Sequence, residues 1–107
     1  MITIENAEKK NKRYPDTYPI PTLKNRRNLR PGDFAKLSFR NEKGTVECMW
    51  VKILSHTNAS YYGTLDNDPV FMDLAFGQLL RFKARNIINI KRSEMIRPVA
   101  NHINKVV

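Results

Sequence analysis

Cysteine is nearly missing from this chain: Cys48 is the only one among 107 residues. A lone thiol excludes an intrachain disulfide and fits a reducing, cytoplasmic setting. Histidine is scarce too, with only His56 and His102. Zinc needs about four ligands, often closely spaced, and nothing here supplies them. Acidic residues are few, ten against nineteen basic ones. Asp66 and Asp68 alone stand close together with a polar residue between them, too few oxygen ligands for a calcium loop. No apolar run approaches the length of a membrane span. The opening stretch MITIENAEKKNKR lacks the apolar core of a signal peptide. Together these absences read as a non-enzymatic chain, with no catalytic residue, no metal, no cofactor and no membrane partner.

What is present suits one globular domain. Hydrophobic residues make up 41% and charged residues 27% of the chain, a balance that can support a single core. The net charge of +9 is unevenly placed. Residues 1–30 hold eight basic and three acidic side chains, and residues 71–107 hold seven and two. The middle, 31–70, holds four and five. Basic ends steer a protein toward anionic partners; the plainer alternative is a set of solvated faces. The chain divides into a basic N-terminal arm (1–17), a β-barrel domain (18–92) and a C-terminal helix or tail (93–107).

The domain is organised around residues 44–82. VECMWVKIL, 46–54, favours a pleated, buried surface. Both of its faces are largely apolar, which predicts a central strand covered on both sides and a buried Trp50. YYGTL, Tyr61–Leu65, is a second strand, and Gly63 inside it marks a bulge or a close backbone approach. DFAKLSFR, 33–40, alternates and should pair antiparallel with 46–54 across an Asn41-Glu42-Lys43-Gly44 turn. Residues 78–84 form a further strand. Residues 86–91 form a last strand, or a one-turn helix followed by a strand. Upstream, Met1 to Arg13 could form a frayed helix or a disordered arm, and Met1, Ile2 and Ile4 could add a short strand. Residues 14–21 hold three prolines and read as an extended linker across the surface, or as a proline-rich recognition segment. Thr22 caps a short helix over 22–29 with Leu23 and Leu29 inward and Lys24, Arg26 and Arg27 outward. Leu29-x-x-Gly32-Asp33 and Leu74-x-x-Gly77-Gln78 echo one another as glycine turns feeding strands. The expected fold is mainly β: a small, partly open antiparallel barrel of five to six strands with short terminal helices. Its core should draw on Leu37, Phe39, Trp50, Val51, Ile53, Leu65, Leu79 and Phe82.

Three motifs carry a resemblance. Met49-Trp50-Val51, then Gly63-Thr64-Leu65-Asp66-Asn67-Asp68-Pro69, then Leu74-Ala75-Phe76-Gly77-Gln78, resemble the YegJ-type family of bacterial domains of unknown function. The likeness runs over residues 18–90 and departs at Gln78, where that family usually has Asp. It implies a small bacterial β-rich domain with no assigned chemistry. It also implies a protein-interaction module, in a toxin–immunity context.

Two groups of residues are candidates for a role. Asp66, Asn67, Asp68 and Pro69 form a turn that shapes the barrel, with a cation site as the sharper alternative. Lys52, Tyr61, Tyr62, Arg81, Lys83 and Arg85 form a candidate binding surface. Tyr61 and Tyr62 face opposite sides of the sheet. Arg81, Lys83 and Arg85 would share one strand face. An exposed tyrosine among these cations suits single-stranded nucleic acid, because bases stack on aromatic rings. Cys48 is expected in the core and His56 in an exposed loop.

Overall fold

The computed structural model describes residues 1–93. Six antiparallel strands form one sheet curled into a half-barrel, and two short helices lie near the N-terminus. The elements are β1 (Thr3–Ile4), α1 (Ala7–Arg13), α2 (Leu23–Arg27), β2 (Phe34–Arg40), β3 (Val46–His56), β4 (Tyr61–Leu65), β5 (Leu79–Phe82) and β6 (Ile87–Lys91). A 3-10 turn, Ala84–Asn86, joins β5 to β6. The strand order is β1-β2-β3-β4-β5, and β6 returns to pair with β2.

Alternation decides what is buried. In β2, Ala35, Leu37 and Phe39 point inward, and in β3 Met49, Val51 and Ile53 do so. Tyr61, Leu65, Phe82, Ile87, Leu29 and Met72 complete the core. Trp50 and Leu79 do not belong to it: Trp50 is half-buried and Leu79 exposed, both on the opposite parity. Cys48 shares that parity and is exposed. The expectation of a strand covered on both sides therefore fails for β3. Two apolar faces do not say which of them finds a partner layer, and among the described residues only one does.

Both helices start at side-chain caps. Asn6 accepts from the Lys9 amide and Thr22 from the Asn25 amide. α2 sits close to where its cap predicts, but two of its residues are reversed. Leu23 is exposed and Arg26 is buried. The cause is the partner set that Arg26 meets: the Pro21 carbonyl at 2.8 Å, the Glu8 carboxylate at 2.6 Å and the Ala84 carbonyl at 2.9 Å. Three fixed acceptors satisfy a buried guanidinium, so one side chain ties α1, α2 and the 3-10 turn together.

The two echoed glycine motifs build the same device. Asp33 donates its amide to Arg30 across Pro31-Gly32, and Gln78 donates to Ala75 across Phe76-Gly77. Gly32 and Gly77 have φ of 94° and 83°, the left-handed region a type II turn needs at its third position. Each turn then runs into a bulge. Gly32 and Asp33 together oppose Ile53, and Gly77 and Gln78 together oppose Leu65. The strand expected over 78–84 is shorter than that. It stops at Phe82, because the Asn86 side chain accepts the Lys83 amide at 2.8 Å and folds the chain into the 3-10 turn. No strand forms at residues 70–72. Met72 is buried there within an irregular crossing. The C-terminal helix or tail expected over 93–107 lies outside the described residues, apart from Ser93.

Candidate functional site

The outer face of the sheet carries the residues left over by the core pattern. Phe34 and Lys36 on β2, Trp50 and Lys52 on β3, Tyr62 on β4 and Arg81 on β5 have the parity opposite to the buried set, and on β6 a register shift after Ile87 brings Lys91 opposite Phe34 on the same face. The register brings them into rows. Lys36 pairs with Trp50, and Phe34 pairs with Lys52 on one side and Lys91 on the other. Tyr62 pairs with Arg81. Lys36 places its ammonium 5.7 Å from the centre of the Trp50 ring, within cation–π range. Phe34, Trp50 and Tyr62 are half-buried, while Lys52, Arg81 and Lys91 are exposed. Beyond Trp50, the Asp66 amide donates to the Trp50 carbonyl at 2.9 Å.

Not every candidate residue joins this surface. Tyr61 is withdrawn into the core, stacked on Phe82 at 5.5 Å. Its hydroxyl donates to the Arg26 carbonyl at 2.9 Å and accepts from the Leu29 amide at 3.2 Å. Burial raises its hydroxyl above the ordinary phenol range, against a smaller opposing effect of the Leu29 amide. Lys83 and Arg85 do not share a face with Arg81, because β5 has ended. They line a separate hollow beside the 57–60 loop, together with Glu8, Arg27 and His56. His56 itself is exposed, as expected, but ends β3 rather than standing in the loop.

The Asp66–Pro69 turn is held from outside. The side-chain oxygen of Asn67 accepts the Trp50 amide of β3. Glu47 then captures the chain just beyond: its carboxylate accepts the amides of Val70, Phe71 and Met72 at 2.8, 2.9 and 3.1 Å. Burial works against ionisation of Glu47. The three amide bonds outweigh it and hold its carboxyl below the ordinary glutamate range. The clipped loop leaves Val70, Phe71, Phe76 and Leu79 exposed at 77, 64, 62 and 63%. Asp66 and Asp68 are exposed. Among the described residues no group of three or more His, Cys, Asp or Glu gathers to hold a metal. No described helix is long and apolar enough to cross a membrane.

Comparison of the chain with known protein families, curated proteins and solved structures yields no match. The surface therefore has to be read from its own chemistry. Of the binding candidates singled out in the sequence, Lys52, Tyr62 and Arg81 lie on this face; Phe34, Lys36, Trp50 and Lys91 lie there too and were not among those candidates. The signal was present: Phe34-x-Lys36 and Trp50-x-Lys52 both run on the parity opposite to the all-apolar residues of their strands.

Proposed function

We propose that this chain is a non-enzymatic binding module whose outer sheet face takes single-stranded nucleic acid. One observation carries the reading: Phe34, Trp50 and Tyr62 stand on the same sheet face as Lys36, Lys52, Arg81 and Lys91. Stacking of a base on an aromatic side chain is worth about 1–3 kcal/mol and tolerates any sequence, while the cations follow the phosphates. Fluorescence anisotropy with single-stranded and duplex oligonucleotides at two salt concentrations tests it. Single strands should bind better, and affinity should fall steeply with salt as counterions are released. Trp50→Ala should weaken binding about tenfold or more. Absence of binding at about 50 mM salt would end this reading.

A second reading is a bacterial, cytoplasmic protein-interaction module, the role implied by the YegJ-type resemblance with its toxin–immunity setting. Its support is the loop that Glu47 and Asn67 hold out, which with the start of β5 leaves Val70, Phe71, Phe76 and Leu79 exposed. Apolar groups gathered at a surface mark contact sites. Phe71→Ser should then abolish partner capture while leaving oligonucleotide affinity unchanged.

A further inference from the structure

We propose that the groove between α1, β1 and the 3-10 turn binds consecutive phosphate groups. This deepens the nucleic-acid reading, on which it rests for the source of those phosphates, by giving the strand's backbone a seat. The groove has a volume of about 810 Å³, and its walls carry Lys9, Lys10, Arg13, Arg40 and Arg85 together with Tyr14. One carboxylate lies among them. Glu5 is already matched, accepting from Arg40 Nε at 2.9 Å, with the Arg40 guanidinium also at 2.8 Å as an ion pair, and from the Ser38 hydroxyl at 2.6 Å. The other four cations enter no ion pair among the described residues.

Two of the four are already oriented. The Arg13 guanidinium lies 5.4 Å from the Tyr14 ring centre, and the Lys10 ammonium 5.1 Å from that of Tyr18. The floor is rigid. Asn86 is buried and donates to the carbonyls of Glu5 at 3.0 Å and Ile4 at 3.5 Å, fixing the 3-10 turn to β1. Several like charges held close together repel one another, and a ligand carrying charge at matching intervals relieves that repulsion. Guanidinium groups meet phosphate oxygens in paired hydrogen bonds, and lysines add point charges. A single carboxylate would leave most of these cations unmatched; a run of phosphates would not.

Inorganic tripolyphosphate and a single-stranded oligonucleotide separate the ligand from its source. The test variant is Lys9→Gln/Arg13→Gln/Arg85→Gln. It alters only exposed side chains, and its melting temperature without ligand should match that of the parent. Tripolyphosphate should raise the melting temperature of the parent chain and not of the variant. Loss of three phosphate contacts should lower the salt slope of oligonucleotide binding by about 2 and weaken affinity about tenfold or more. Binding of tripolyphosphate without oligonucleotide would keep the groove and remove the nucleic-acid reading. Oligonucleotide binding with an unchanged salt slope, and no response to tripolyphosphate, would overturn the groove and keep that reading. No response to either ligand would overturn both.

Discussion

Asn67 sits between two aspartates and does what neither of them does. Its side-chain oxygen takes the Trp50 amide, so a turn that looks self-contained is anchored to the neighbouring strand. Asn67→Ala should cost about 1–2 kcal/mol in chemical denaturation, because a part-buried amide loses its acceptor. Asp66→Asn and Asp68→Asn, at exposed positions, should change stability by about 0.5 kcal/mol or less. Glu47 and Glu5 give a pH dependence whose sign follows from their partners. Burial disfavours ionisation of both, but hydrogen bonds, and for Glu5 the nearby Arg40 charge, leave each carboxyl below its ordinary range in the folded state. Such groups stabilise the fold above the unfolded-state value and lose that contribution as pH falls through the folded one. The melting temperature should therefore drop as pH goes below about 4.3, and Glu47→Gln should flatten part of that drop. At this scale the sequence was legible for the inward residues of β2, whose neighbours alternate cleanly, and less so for β3, whose two faces are both largely apolar. It was misleading for Trp50 and Leu79, where an apolar side chain faces outward and only the cover found among the described residues decides. Arg26 was unreadable because its three acceptors come from residues 8, 21 and 84.

Among the elements, β4 shows why one glycine differs from another. A methyl group on Gly63 would lie 2.5 Å from the Lys52 carbonyl oxygen and 2.6 Å from a Val51 methyl carbon. Backbone atoms cannot step aside, so Gly63→Ala should cost about 1–3 kcal/mol or more, read by denaturation. Gly77 has open space around it, and only its φ of 83° resists a side chain. Gly77→Ala should cost about 1 kcal/mol and leave the sheet intact. The close approach at Gly63 was legible, since glycine inside a strand is weak unless a neighbour needs the room. The paired turns at Gly32 and Gly77 were legible as shared turn chemistry. The early end of β5 was not, because it depends on Asn86 reaching back to an amide three residues earlier.

For the molecule as a whole, the fold class was legible from strand spacing and turn residues, and the curled six-strand sheet follows it. The place of the positive charge was not. The basic ends of the chain read as two separate clusters, but Lys9, Lys10 and Arg13 near the start meet Arg85 from the second basic stretch in one groove. That meeting is a consequence of topology. β6 lies along β2, and Asp33 seals the arrangement by accepting the Ser93 amide at 2.7 Å.

The same closure orders events during synthesis. β2 can zip to β3 as soon as residue 52 is free, a local hairpin that forms in about 1–10 μs. Its other flank is covered by β1 only at Phe39 and Arg40, and stays bare along Phe34 to Leu37 until their partners, residues 87–91, have been made. At about 5–20 residues per second, the ribosome leaves that edge waiting for a time of seconds. During this wait Leu37 and Ala35 lie beside an unfilled flank, the state most open to mispairing with another nascent chain. A chain ending at Lys83 should bind a hydrophobic dye and aggregate, where the full chain should do neither. β6 is thus a timing device as much as a structural one: the sheet does not reach its final shape until residues 87–91 have been made.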